Sequence, residues 1–289
     1  MNRPIECVLC LINGRSEDLM KFGGKIEHYP FSLRAIAELI QKPRTEAFSE
    51  SFKIISEIIG KEDPYYEQKE ELNKLAAKLL SEIELNPQTE KDLLRLGAAA
   101  NAFDTSVFGY KFETYSLSPN ILFDAPAIDE AGLINWEEVE TITYVPDNSG
   151  EAVIDAYIIR KMRSMGYKVK AILREEPYEI DATYKDFLKF GFGEEELIPT
   201  RGNISPLYKK RIGWRAEEAL LRSDIIISKG IANLEGYVDA GRWLEGKVIF
   251  LLRAKCPVIA KAFGVPRKSP IIVTEETAWK ILNSFFKSN

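Results

Sequence analysis

Hydrophobic positions in the first half of the chain follow a helical period. The stretch from 65 to 85, YYEQKEELNKLAAKLLSEIEL, has apolar residues three or four positions apart, at Leu72, Leu75, Leu79, Leu80 and Ile83. This spacing places them on one face of an amphipathic helix. The runs AFSESFKIISEIIG and FSLRAIAELIQ show the same period. Residues 1–135 are therefore predicted to form a helical N-terminal subdomain.

From about residue 136 the pattern changes to short β-branched runs that alternate with helical segments. These runs are ETITYV, YKVKAIL, SDIIIS, GKVIFLL and PIIVT. Continuous apolar runs indicate strands that are buried on both faces, as in a mainly parallel sheet covered by helices. Residues 136–289 are therefore predicted to form a doubly wound α/β domain. Ligands of such sheets bind beyond the carboxyl ends of the strands, so the loops there are the candidates for chemistry.

Composition and charge narrow the classes of partner and compartment. The 289 residues carry 39 basic and 44 acidic side chains, a formal net charge of -5. This balance gives no general attraction to nucleic acid or to an anionic membrane. Charges at Glu6, Arg15 and Glu17 interrupt the N-terminal apolar patch, which argues against a signal peptide or a membrane span. With three cysteines, a disulfide framework is disfavoured, and a cytoplasmic location is expected.

The first predicted strand is followed by PDNSGE, which has two interpretations. Asn148 is a favoured helix N-cap, and Glu151 three residues later can complete a capping pair. Capping leaves Asp147 unexplained, since a carboxylate at the mouth of a buried strand can point into the crevice. Carboxylate and amide oxygens are hard donors that suit Mg²⁺ or Mn²⁺. The alternatives at this point are a helix cap and a metal site.

Further polar residues follow the other predicted strands. Asp181 lies in REEPYEIDATYKDF, where it can cap a helix or add a carboxylate to a metal site. Lys229 and Asn233 follow SDIIIS, and Lys255 ends the run LLRAK. Lysines at strand ends can neutralise phosphate oxygens and an asparagine can donate to them, although most lysines are solvated surface charges.

Other kinds of chemistry are disfavoured by residue counts and spacing. The single histidine, His28, lies in the helical half, which argues against a Ser-His-Asp triad and a multi-histidine zinc site. Cys7 and Cys10 have the spacing of half a zinc site without a second pair, so small buried residues are the simpler interpretation. A nucleophilic role for Cys256 has no base to support it.

Nucleotide-binding enzymes form the competing class. The first strand does not lead into G-x-G-x-x-G, which argues against a nicotinamide dinucleotide site. An S-adenosylmethionine or nucleotide site stays open, because Glu175 near the end of the second predicted strand could contact a ribose.

Five segments occur in a fixed order along the chain: AANAFDTSVFG, VPDNSGEAVID, EIDATYKD, ISKGIANLE and LRAKCPVIA, preceded by CVLC. Together, up to about residue 260, they resemble the metal-dependent damage-control phosphatase family, long labelled domain of unknown function 89. The chain looks most like its compact archaeal and plant-type members. The resemblance implies a helical N-terminal part on a Rossmann-like α/β domain with helices on both faces. It also implies one divalent cation, Mg²⁺ or Mn²⁺, with Co²⁺ and Ni²⁺ as further candidates.

The resemblance also implies roles for individual residues. The metal ligands and catalytic residues would be Asp147, Asn148 and Asp181. Phosphate and substrate contacts would come from Lys255, Lys229, Asn233, Asn101 and Asp104. Glu235 stands where some relatives have an arginine, which argues against the larger sugar phosphates of those relatives.

The implied activity is metal-dependent hydrolysis of a small phosphomonoester, such as a sugar phosphate or a damaged phosphometabolite. A water molecule and an aspartate are both candidate nucleophiles. The alternative activity is S-adenosylmethionine-dependent carboxyl methylation, and a binding module without activity is the third interpretation.

Overall fold

The computed structural model describes residues 4–103 and 119–288. The predicted pocket residue Asp104 lies outside the described residues. Within them the helices are α1 Ile5–Lys21, α2 His28–Leu39, α3 Arg44–Ile59, α4 Tyr66–Glu82, α5 Glu90–Ala100, α6 Glu151–Ser164, α7 Tyr184–Lys189, α8 Trp214–Arg222, α9 Gly230–Ala240, α10 Pro257–Phe263 and α11 Glu275–Ser288. None of the helices in this part of the chain combines the length and the apolar character needed to cross a bilayer.

The strands form one sheet of seven in the order β1-β7-β6-β5-β2-β3-β4. They are β1 Ile128–Asp129, β2 Thr141–Val145, β3 Lys168–Leu173, β4 Leu197–Pro199, β5 Ile225–Lys229, β6 Val248–Arg253 and β7 Pro270–Thr274. Every neighbouring pair is parallel except β6 and β7, which are antiparallel. The predicted α/β class with a mainly parallel sheet is thus confirmed.

The central strands are largely apolar because helices cover both faces of the sheet. In β5, Ile225 and Ile227 face a core with side chains of α4, α5 and α6. Ile226 between them faces the opposite core, which contains side chains of α8 to α11. Burial on both faces explains why these strands appear in the sequence as unbroken hydrophobic runs.

The central strands β2 and β5 lie side by side, and the chain leaves them in opposite directions across the sheet. This arrangement opens a crevice at their carboxyl ends. Helices α1, α2 and α3 pack on one another, and α3 also packs on α9. The N-terminal helices are thereby held against the α/β part of the chain. Because β1 pairs with β7, the sheet includes residues before 136, and the domain boundary near residue 135 stays a prediction.

Candidate active site

A cavity of about 290 Å³ lies at the carboxyl ends of β2 and β5. Asp147, Asn148 and Asp181 line it from the sheet side, and Arg15 of α1 and Arg44 of α3 line it from the helical side. The three side chains predicted to bind metal therefore share one cavity. The switch point of the strand order is where α/β sheets usually bind ligands.

Direct pairing of two loops brings the three predicted metal ligands together. Asn148, in the loop after β2, forms an isolated antiparallel bridge with Asp181, in the loop after β3. Beside this bridge, the backbone N–H of Ala182 donates to the carbonyl oxygen of Asp147 at 2.7 Å. Backbone hydrogen bonds therefore fix the separation of the two loops, independently of any bound ligand.

The amide of Asn148 is oriented by two carboxylates. Its Nδ2 donates to Oδ2 of Asp147 and to Oε1 of Glu151, both at 2.8 Å. The Oδ1 of Asn148 is consequently turned away from these carboxylates, as a metal ligand would need to be. Helix α6 begins at Glu151 with Gly150 at the N-cap, and no side chain caps it. Asn148 thus donates hydrogen bonds to neighbouring acids instead of capping α6.

Asp147 is buried, with 5% of its surface exposed, and held by polar and steric contacts. Its Oδ2 accepts hydrogen bonds from Nδ2 of Asn101 at 3.1 Å and from Asn148. The carboxylate also packs against Gly230, the first residue of α9, which has a φ of 76°. A Cβ at this glycine would lie 1.8 Å from Oδ2 of Asp147. Only glycine leaves room for the carboxylate here.

Replacing Gly230 with alanine is expected to displace the Asp147 carboxylate and to reduce kcat/KM of the reaction at this site by about 10²-fold, as small misplacements of reacting groups do. Overpacking should also lower the free energy of unfolding by about 1–3 kcal/mol. Gly241 ends the same helix with a φ of 84° and has no heavy atom within 4 Å of a built Cβ. Gly241→Ala is therefore the matched control for backbone strain, and equal activity loss in both variants would contradict the expected steric effect.

Asp181 is paired with an arginine that follows β3. Nε of Arg174 donates to Oδ2 of Asp181 at 2.5 Å, and the guanidinium stacks on the ring of Tyr178 at 4.7 Å. One carboxylate oxygen of Asp181 is thus neutralised and fixed. Asp181 does not cap the next helix, because Thr183 and Asp186 form the capping box of α7.

A fully buried ionic network lies beneath the loop that carries Asp147 and Asn148. Nζ of Lys229 donates to Oε2 of Glu151 at 2.6 Å and to Oδ1 of Asp155 at 2.8 Å. Tyr144 also donates to this oxygen of Asp155, at 2.6 Å. Burial alone would lower the pKa of Lys229, but the charges of Asp155 and Glu151 raise it above the ordinary value. Lys229 is therefore paired with acids below the cavity, and the phosphate contact expected of it from sequence stays a prediction.

Two predicted pocket residues act behind the cavity wall. Asn101 donates to Asp147 and to Glu151, and its Oδ1 accepts the backbone N–H of Arg253 at 2.9 Å. Asn233 donates to two carbonyl oxygens, those of Pro146 at 3.1 Å and Lys229 at 2.9 Å. Both asparagines hold the strand-end loops together.

Lys255 is fully buried two residues after the end of β6. Its backbone carbonyl accepts hydrogen bonds from the guanidinium of Arg267, at 3.2 and 2.9 Å. The phosphate contact expected of its ammonium group stays a prediction.

Sequence reasoning missed two arginines that line the cavity. Arg15 forms an ion pair with Asp18 at 3.1 Å and another with Glu179. Arg44 forms an ion pair with Glu235 of α9. Burial raises the pKa of Glu179 despite the opposing charge of Arg15. The pairing of Arg15 with Glu179 and of Arg44 with Glu235 joins residues that lie far apart along the chain, so no local pattern marks it.

All three cysteines of the chain line the same cavity, Cys7 and Cys10 from α1 and Cys256 from the start of α10. Burial raises the pKa of Cys7, which disfavours its thiolate. Within residues 4–103 and 119–288, no group of three or more His, Cys, Asp or Glu side chains has the arrangement of a metal site. The geometry therefore gives no support to a thiolate zinc site.

The three predicted metal ligands are two carboxylates and one amide, so they differ from a group of three His, Cys, Asp or Glu side chains. Asp147, Asn148 and Asp181 are at most 5% exposed, and all three line the same cavity. Hard oxygen donors of this kind fit Mg²⁺ or Mn²⁺ better than softer ions. The chemistry of the donors thus fits the implied cation.

Comparisons with known proteins identify relatives of the chain. The model of the damage-control phosphatase ARMT1-like domain matches residues 5–271. A damage-control phosphatase of Pyrococcus horikoshii is 27% identical over 279 residues, which cover 92% of this chain and 96% of the relative. One of Archaeoglobus fulgidus is 26% identical over 220 residues, covering 73% and 75%. The crystal structure of a duf89 family protein from Pyrococcus horikoshii matches with a TM-score of 0.81 and 26% identity, covering 95% of this chain and 99% of that one.

Proposed function

The chain belongs to the damage-control phosphatase ARMT1-like family, and on that basis we propose that it is a divalent-metal-dependent phosphatase of small phosphomonoesters. Its relatives named damage-control phosphatases support a phosphatase role. The observation that carries the proposal is the convergence of Asp147, Asn148 and Asp181 in one cavity at the ends of the central strands. The metal requirement and the type of phosphoester are part of the proposal.

Three residues of the cavity would bind a cation, and their neighbours hold these ligands in place. Asp147 and Asp181 would supply carboxylate oxygens, and Asn148 would supply its amide oxygen. A bound divalent cation supplies positive charge that offsets the negative charge of phosphoryl transfer. Arg174 fixes the carboxylate of Asp181, and Glu151 fixes the amide of Asn148.

Positioning by these fixed groups accounts for the proposed catalysis. Their carboxylates and amides are already hydrogen bonded in the folded protein, so little reorganisation is needed when substrate binds. Lys255 is proposed to contact the phosphate oxygens from the neighbouring strand end. The buried Lys229 would instead support Glu151, and through it Asn148.

Removal of metal tests the proposed function. Phosphate release from phenyl phosphate, hexose phosphates and nucleoside monophosphates would be measured with Mg²⁺, Mn²⁺, Co²⁺ or Ni²⁺ and with excess chelator. We expect release from at least one monoester with Mg²⁺ or Mn²⁺, loss of that release in chelator, and its return when the cation is restored. A phosphodiester serves as the control substrate and should not be cleaved. Release that is indifferent to chelator, or absent from every monoester, would contradict the proposal.

Methyl transfer to a carboxyl group is the competing activity. The loop after β2 presents Asp147 and Asn148 to the cavity in place of a glycine-rich turn, and the family description names a phosphatase. Calorimetry with S-adenosylmethionine separates the two activities, because tight binding without metal would favour the methyltransferase.

A further inference from the structure

One wall of the cavity carries an ion pair between two helices. Arg44 is the first residue of α3, and its guanidinium pairs with the carboxylate of Glu235 on α9. The two side chains are 19% and 12% exposed. The guanidinium also lies over the ring of Phe48, 4.3 Å from its centroid. The positive charge of Arg44 is therefore matched by a negative charge before any ligand enters.

The second arginine of the cavity is compensated in the same way. Arg15 lies between Asp18 and Glu179, and only 2% of its side chain is exposed. Among the described residues that line the cavity, Arg15 and Arg44 are the basic side chains, and Glu6 adds a further carboxylate. In this part of the chain the wall thus offers no cation that lacks an acidic partner.

The remaining wall is largely apolar. Side chains without hydrogen-bonding groups make up most of it, among them Leu9, Phe48, Ile231, Pro257 and Val258. Of the described residues, Asn13 and Tyr178 are its polar side chains. A polyhydroxylated alcohol held there would lose more hydrogen bonds to water than two polar side chains can replace, so the wall favours an alcohol with few hydroxyl groups.

We propose, resting on the phosphatase function above, that the Arg44–Glu235 pair makes the enzyme select phosphomonoesters whose alcohol part is uncharged and largely apolar. Glu235 is the specificity-determining residue. A second anionic group, such as a carboxylate, would be desolvated beside Glu235 while Arg44 is already occupied. Juxtaposed like charges discriminate strongly between otherwise similar ligands.

Phenyl phosphate and 4-carboxyphenyl phosphate form a matched pair for the test, since they differ only in a carboxylate remote from the phosphate. Wild-type kcat/KM is expected to be higher for phenyl phosphate by about 10-fold or more. Glu235→Gln keeps the shape of the side chain and removes its charge, which releases Arg44. The ratio of kcat/KM for phenyl phosphate to kcat/KM for 4-carboxyphenyl phosphate should then fall by about 10-fold.

Two further variants distinguish an effect of the Glu235 charge from an effect on the structure. Glu218→Gln removes an exposed carboxylate on α8 that pairs with Arg222, and it should keep the wild-type ratio. The double variant Arg44→Met with Glu235→Gln removes both charges of the pair. Without the released guanidinium, the double variant should no longer show the increased relative kcat/KM for 4-carboxyphenyl phosphate. A merely structural role of Glu235 would not produce this reversal.

The outcomes distinguish this inference from the proposed function. No release from phenyl phosphate or from any other tested monoester, with metal present, would overturn the phosphatase function. Release from other monoesters but not from phenyl phosphate would overturn the selectivity alone. Release at equal kcat/KM from both substrates would overturn the selectivity alone. An unchanged ratio of the two kcat/KM values in folded Glu235→Gln would also overturn the selectivity alone. The wild-type comparison stands without any variant, so poor folding of a variant leaves the test decisive.

Discussion

Replacing Asp147 with asparagine is expected to reduce kcat/KM for phosphate release by about 10³-fold. The substitution keeps the size of the side chain but removes the charge that the proposed cation site needs. It also sets a neutral amide where Asn101 and Asn148 now donate to Oδ2 of the carboxylate. Steady-state kinetics at several Mn²⁺ concentrations measure the loss.

The control for Asp147→Asn is the same change at Asp129. Asp129 lies on β1, at the edge of the sheet and four strands from β2, where it pairs with Arg95. Asp129→Asn should retain wild-type kcat/KM. Wild-type kcat/KM in folded Asp147→Asn at low and high Mn²⁺ would exclude this carboxylate from the active site. Recovery only at high Mn²⁺ would show that Asp147 acts chiefly through metal affinity.

Replacing Lys229 with methionine is expected to lower the free energy of unfolding by about 3–5 kcal/mol, the usual effect of leaving a buried charge without its partner. Glu151 and Asp155 would lose the ammonium group that lies between them in the interior. The raised pKa keeps Lys229 charged in the folded protein. Its stabilising effect is therefore fully present at neutral pH and would be lost only above the ordinary pKa of lysine.

Thermal or denaturant unfolding at two pH values measures this loss. Burial already raises the pKa of Asp155, and in the Lys229→Met variant this pKa should rise further, because no cation offsets the burial. The variant should therefore gain stability relative to wild type as the pH falls from about 8 to about 5. Lys209→Met, at an exposed ion pair with Glu217, should change stability by no more than about 0.5 kcal/mol. Equal stability of Lys229→Met and wild type would contradict the structural role of this network.

The sequence predicted the strands that have enough residues to show a pattern. The five apolar runs correspond to β2, β3, β5, β6 and β7. Strands β1 and β4 have two and three residues, which is too short for a periodic signal. The antiparallel direction of β7 was also unpredictable, because a helix between two strands usually indicates a parallel crossover.

The candidate site was predictable where it depends on residues that directly follow a strand. Asp147 and Asn148 follow β2, and Asp181 lies in the loop after β3, so their presence at one edge of the sheet follows from strand direction. Lys229 also lies at the carboxyl end of a strand, but its ammonium group contacts acids of α6. Its partners Glu151 and Asp155 lie four residues apart on the buried face of α6, and only the packing of that helix on β5 determines the contact.

Contacts between distant segments account for the rest of the site. Arg44 and Glu235 lie on helices that are amphipathic in sequence and give no sign of facing one another. Their pairing depends on how α3 packs against α9, which is a tertiary property. The resemblance thus pointed to Glu235 as a residue that affects substrate choice, but the sequence could not show its pairing with Arg44.

A titration of metal-stripped protein with Mn²⁺ tests the metal site most directly. Phosphate release and the number of bound ions are measured at each Mn²⁺ concentration. The expected result is no release without cation and a rise that saturates with one ion bound per chain. Asp147→Asn should neither bind that ion with wild-type affinity nor recover wild-type kcat/KM. Full activity of the stripped wild-type protein in excess chelator would contradict a metal-dependent site at Asp147, Asn148 and Asp181.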